Sequence, residues 1–182
     1  MTHAGQTDSW NGVARSLHWL MAVLILVQAP LGWIGSDMER SPLKVDVLTA
    51  HKSLGITLLL LAALRLLWRL THATPPHPPG SEPWKIRAAG LSHAALYGLM
   101  IALPLSGWLV ASTSIVPWKL WWTIPWPALV KPDMQLHEIT GAIHEALVWG
   151  LVTALAVHVA AALWHHFAQH DDVLRRMLRG SP

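Results

Sequence analysis

Four stretches of the chain are apolar almost without interruption, at residues 17–33, 48–68, 91–110 and 142–164. Each approaches the ~20 residues that carry an α-helix across a bilayer. A helix on the surface of a soluble bundle keeps a polar outer stripe, and these runs lack one. The pattern predicts an all-α integral membrane four-helix bundle, one transmembrane domain over residues 1–182, with spans at about 15–35, 47–70, 90–111 and 138–166. The first run follows a polar stretch and precedes Gly35-Ser36-Asp37-Met38-Glu39-Arg40. No small-residue cleavage site stands there, so it reads as a retained span. Residues 71–83 hold Pro75, Pro76, Pro78 and Pro79, which predicts an extended connector. Residues 112–136 set Trp118, Trp121, Trp122 and Trp126 among four prolines. Tryptophan favours the headgroup region, so this segment is expected to cap the membrane surface.

Charge orients the spans. Arg15, Arg65, Arg69, Lys85, Arg87, Arg175, Arg176 and Arg179 flank one side. On the other, Arg40, Lys44, Lys119 and Lys131 are offset by Asp37, Glu39, Asp46 and Asp133. The positive-inside rule places both termini and the proline-rich connector in the cytoplasm of a bacterial inner membrane. The net charge of +3 comes from these flanks rather than from a basic stripe, and carries no nucleic-acid signature. The chain has no cysteine, which excludes disulfides, iron–sulfur clusters, thiolate zinc sites and covalent haem attachment. Its twelve histidines are the abundant metal ligand that remains.

His144 and His158 lie fourteen residues apart in the fourth run. That is almost four turns, so both imidazoles point the same way about 21 Å apart along the axis. Antiparallel connection then fixes depth: His51 and His144 fall near the outer face, His18 and His158 near the inner one. Paired histidines at matched depth on facing helices suit two bis-histidine b-type haems slotted into a bundle. Gly55 beside His51, and Ala161 and Ala162 beside His158, offer room for a flat cofactor, although ordinary helix packing explains small residues as well. His137 competes for the outer site, but falls before the apolar run. His93 competes for the inner one, and suits a propionate partner better than a ligand. Arg15, Arg65, Arg69 and Arg87 inside, and Lys44 and Lys52 outside, are further candidate propionate partners; each also serves as a topology signal or a snorkelling end residue. His3, His72, His77, His165, His166 and His170 read as solvated or interfacial.

The order of motifs resembles the bacterial cytochrome b561 family. Arg15-Ser16-Leu17-His18-Trp19 is similar to its R-x-x-H-W opening, and His51-Lys52-Ser53-Leu54-Gly55 to its H-x-x-x-G. Arg65-Leu66-Leu67-Trp68-Arg69 and the Thr74-Pro75-Pro76 turn follow, then His144-Glu145 and His158-Val159-Ala160-Ala161-Ala162-Leu163-Trp164-His165-His166. The resemblance runs from about residue 15 to 177. It implies four helices holding two haems b, with His18, His51, His144 and His158 as axial ligands and the iron as the bound metal. The chain's length is similar to that of the short diheme members that pass electrons from superoxide to ubiquinone. Hydrogenase-linked members carry an additional span, for which there is no room here.

The expected function is therefore an oxidoreductase that moves electrons between superoxide on the outer side and the quinone pool. Lys44, Lys52, Lys119 and Lys131 could steer the superoxide anion, though their acidic neighbours limit any such field. A quinol-linked relay to a periplasmic redox protein is the rival within the class. A histidine-based metal or solute transporter is the rival outside it, and the chain shows no internal repeat and only Pro104 as a helix interruption.

Overall fold

The structure is a computed structural model, and it describes residues 9–76 and 82–178. Four long helices form it: α1 Gly12–Asp37, α2 Pro42–Thr71, α3 Pro83–Ser112 and α4 Met134–Phe167. All four are long and apolar enough to cross a membrane. Three of them, α1, α2 and α4, start where a polar side chain satisfies an open backbone donor of the first turn. Asn11 Oδ1 accepts from Ala14 N–H at 2.9 Å, Ser41 Oγ from Lys44 N–H at 3.2 Å and Asp133 Oδ1 from Leu136 N–H at 2.9 Å. Pro42 and Pro83 stand at the first turns of α2 and α3, where a missing N–H costs nothing. The helices outrun the expected spans at both ends, because capping and propensity continue after the apolar run stops. At 34 residues α4 is ~51 Å long, well beyond the ~30 Å hydrocarbon layer. Besides Pro104 in α3, Pro30 lies inside α1, and both helices run through their proline.

Close packing follows chain order, α1 on α2, α2 on α3 and α3 on α4. Neither α1 nor α2 packs on α4 to a comparable extent. The buried core is correspondingly one-sided: Met21 of α1 meets Leu54, Leu58 and Ala62 of α2. Among its residues α4 buries only Thr140. The bundle is thus closed by helix contact on one side, while α1 and α2 face α4 across their histidines.

The loop between α3 and α4, expected to cap the membrane surface, carries a hairpin of its own. A two-stranded hairpin, β1 Lys119–Leu120 and β2 Ile124–Pro125, folds back onto α2. Trp121 N–H donates to Ser53 Oγ at 2.8 Å, and its indole Nε1 to Thr57 Oγ1 at 3.3 Å. Trp122 Nε1 donates to Asp46 Oδ1 at 2.9 Å. An indole N–H in apolar surroundings needs an acceptor, and a hydroxyl and a carboxylate of α2 provide one for each of these two. The turn is strained for this purpose, with Trp121 at φ 48° and Trp122 at φ 61°.

At the opposite end, the termini end, where the described residues begin and stop, a short helix α5 Val173–Leu178 follows a bend. Trp19 Nε1 donates to Met177 O at 3.0 Å and Arg176 Nη1 to Pro76 O at 2.9 Å, which ties the tail to α1 and to the connector. Residues 72–76 are not helical, as the prolines require, and Pro78 and Pro79 lie outside the described residues. So do His3, His77 and Arg179.

Candidate haem sites

At the hairpin end, His51 of α2 faces His144 of α4 with ring centroids 6.4 Å apart and planes at 90°. Each ring is held by its Nδ1. His51 Nδ1 lies 3.1 Å from Gln28 O of α1. A carbonyl only accepts, so Nδ1 carries the hydrogen and Nε2 keeps its lone pair. His144 Nδ1 lies 2.8 Å from Ser106 Oγ of α3, and Ser106 spends its one hydrogen on Leu103 O at 2.8 Å. The serine oxygen therefore accepts, and Nε2 of His144 is again left open. Two glycines give these rings their places. A Cβ on Gly32 would stand 2.7 Å from His51 Cε1, and one on Gly107 3.1 Å from His144 Cε1.

At the termini end, His18 of α1 faces His158 of α4 with centroids 6.3 Å apart and planes at 65°. His93 of α3 joins this cluster, 5.6 Å from His158. Arg65 lies near enough to act electrostatically on His18, His93 and His158, and Arg69 near enough to act on His93. Arg65 Nη1 also donates to Ala14 O at 3.0 Å, and Arg69 stacks over Trp10 with its guanidinium carbon 5.5 Å from the ring centre. Trp10, Arg65, Trp68, Arg69 and Tyr97 line a small cavity there. Arg15 is half-buried one turn before His18.

These separations have a chemical meaning. A histidine nitrogen binds a first-row metal at ~2.0–2.1 Å, so two imidazoles trans on one ion stand about 6.3 Å apart centre to centre. Both facing pairs are at that spacing, and each joins helices that do not pack closely on each other. The His93–His158 distance is shorter than a trans pair requires. The residues present therefore fit a planar iron cofactor held at each of two levels.

Other sequence expectations fall differently. Gly55 does not open beside the histidine pair; it is buried against α1, where a Cβ would meet Gln28 Nε2 at 3.3 Å. One turn along α2 rotates it into the α1 interface. Lys44 is occupied at the end of α1, its Nζ 2.7 Å from Met38 O and 3.2 Å from Ser36 O, as cations commonly settle at helix C-termini. Lys52 points at the hairpin, with Nζ 5.7 Å from the Trp118 ring centre. His72 stacks on Trp68, with centroids 3.7 Å apart. His165 pairs with Asp171, and the buried Nδ1 of His166 has no hydrogen-bond partner. Gln28, Gly32, Ser106 and Gly107 escaped the sequence reading. The only signal was that each lies in an apolar run where a polar or bare residue is unexpected.

Four apolar helices with imidazoles facing in pairs at two levels fit a haem-binding membrane protein of the electron-transport class. The chain belongs to the prokaryotic cytochrome b561 family, which it matches over residues 9–180; the family binds b-type haem. It is 30% identical over 179 residues to cytochrome b561 homolog 2 of Escherichia coli (strain K12), covering 98% of this chain and 95% of that protein. Cytochrome b561 homolog 1 of the same organism is 28% identical over 165 residues, 89% of this chain and 92% of its own length. A protein described as probable superoxide oxidase CybB, from Yersinia pestis, is likewise 28% identical over 165 residues, 89% of this chain and 91% of its own.

Proposed function

We propose that this cytochrome holds two haems b, one between His51 and His144 and one between His18 and His158, and transfers electrons from superoxide to ubiquinone. The observation that carries the haem assignment is the pair of imidazole separations, 6.4 Å and 6.3 Å, at two depths of one bundle. A haem closed by histidine on both faces supplies one-electron transfer and leaves no open position for oxygen binding. The protein's part is to set the imidazoles. Gln28 and Ser106 fix which nitrogen of His51 and His144 is free, and the bare backbones of Gly32 and Gly107 let the rings stand where they do. Arg65, Arg69 and His93 gather positive and hydrogen-bonding groups at the termini end, suited to propionate carboxylates. Lys52 keeps a cation at the hairpin end, beside the outer pair.

The hairpin end faces the periplasm and both termini the cytoplasm, as the basic flanks of Arg65, Arg69, Lys85, Arg87, Arg175 and Arg176 favour. The overall reaction takes one electron from each of two superoxide anions, releases two molecules of dioxygen and reduces one quinone with two protons. Support for this substrate pair comes from the likeness to the Yersinia pestis protein and from the short four-span length. The test is quinone reduction by the purified, haem-loaded protein in a superoxide flux. Quinol formation above the spontaneous rate supports the assignment. Failure with superoxide, with quinol reducing the haems, assigns the chain instead to a relay towards a periplasmic partner.

A further inference from the structure

Two turns beyond His144, α4 repeats the device that fixes that residue. His137 Nδ1 stands 2.8 Å from Thr113 Oγ1, and Thr113 Oγ1 donates its one hydrogen to Val110 O at 2.7 Å. The hydroxyl therefore accepts from the imidazole, just as Ser106 accepts from His144. Thr113, the C-cap of α3, is seven residues after Ser106, and His137 and His144 are seven apart on α4. The two units thus lie in line along the α3–α4 seam, ~10.5 Å apart. His137 is clamped by backbone as well. Asp133 N–H donates to Thr113 O at 3.1 Å, and His137 N–H to Asp133 O at 3.0 Å. Such a fixed, half-buried imidazole with one free nitrogen is more than solvation of a helix end requires.

Between the two histidines the helix face is bare at Gly141. Gly141 is four residues after His137 and three before His144, so the three share one helix face. A Cβ at Gly141 would meet no atom within 4 Å. Thr140, the other α4 residue at that register, is buried with its hydroxyl turned onto Leu136 O at 2.7 Å, so its one hydrogen is spent on its own helix.

We propose that His137 binds a propionate carboxylate of the haem held by His51 and His144, with Thr113 as the residue that positions it. The inference rests on that haem assignment. Because Nδ1 already donates to Thr113, Nε2 can donate to a carboxylate only as part of an imidazolium, giving a charge-assisted hydrogen bond. The positive charge opposes oxidation of the nearby iron, so its removal favours the oxidised form. Thr113 acts only through the ring it orients.

A redox titration of the haem-loaded protein, with His137→Gln and Thr113→Val, tests this. The wave lost in His144→Ala identifies the hairpin-end haem. In His137→Gln that haem remains bound and low-spin, and its oxidised-to-reduced ratio at a fixed applied potential rises about tenfold, which is ~59 mV for one electron. The other wave stays in place. Thr113→Val, which keeps the imidazole and nearly the same volume, shifts the same wave in the same direction by less, and carries the test alone if His137→Gln takes up no haem. Both waves unmoved in the variants would overturn the proposal, as a lipid phosphate on the same nitrogen would produce. Loss of the hairpin-end haem from His137→Gln, with its retention in His144→Ala, would overturn it too by making His137 a ligand. One wave in the unaltered protein would defeat the two-haem reading itself, whereas two waves that the variants leave alone defeat only this inference.

Discussion

At the scale of single residues, the proposed haem sites depend on side chains that hold a ring still as well as on the rings. Gly32 is the sharpest case. A methyl group 2.7 Å from His51 Cε1 cannot be tolerated without moving the imidazole, so Gly32→Ala is expected to lower haem content at the hairpin end while the termini-end haem remains. Pyridine haemochrome quantitation against protein concentration reads this directly. Ser106→Ala removes the acceptor that fixes the His144 tautomer. Loss of such an outer partner typically weakens metal-site affinity 10–100-fold, and haem titration into the apo-protein should fall in that range at one site only. Which histidines face each other was legible from the sequence, because depth along a span is countable at 1.5 Å per residue. Their supports were not. Whether Gly55 or Gly32 faces the ring depends on how α1 and α2 are rotated about their axes, and the apolar runs, uniform all round, carry no periodicity to set that rotation. Lys44 shows the same limit: its charge was visible, but not that carbonyls of α1 would claim it.

Among the elements, the four helices follow from hydropathy and their ends from caps. Asp133 caps α4 and also connects to Thr113 through its backbone. Asp133→Ala should cost about 1 kcal/mol, read as a lower midpoint of thermal unfolding in detergent. The hairpin is the element the sequence did not disclose. Its Pro and Trp content predicted an interfacial loop but not its docking, which uses two hydroxyls and a carboxylate of α2 that read as ordinary polar residues. Ser53 has no solvent exposure and accepts the Trp121 N–H. Ser53→Ala leaves that donor without its partner, with an expected loss of about 1–3 kcal/mol and a shift in tryptophan emission as Trp121 and Trp122 loosen. An unchanged spectrum and stability would mean the hairpin is not held through Ser53.

At the scale of the whole molecule, the packing is sequential and leaves α4 tied to α3 while its histidines face α1 and α2. That asymmetry suits a bundle completed by what lies between its helices, and the haem-free protein should unfold well below the loaded one. Orientation is testable cleanly because the chain has no cysteine of its own. A single cysteine at Ile115, in the loop at the hairpin end, should react with an impermeant maleimide on intact spheroplasts; one at Arg175 should react only after lysis. The reverse pattern would invert the proposed membrane sidedness and place the hairpin end in the cytoplasm.

The central claim is that the histidines work as two specific pairs, and one redox titration with haem quantitation across four variants tests it. The unaltered protein should hold two haems b per chain and titrate in two waves. His51→Ala and His144→Ala should each abolish the same wave, and His18→Ala and His158→Ala the other. A single haem per chain would contradict the account, as would His51 and His144 variants that lose different waves.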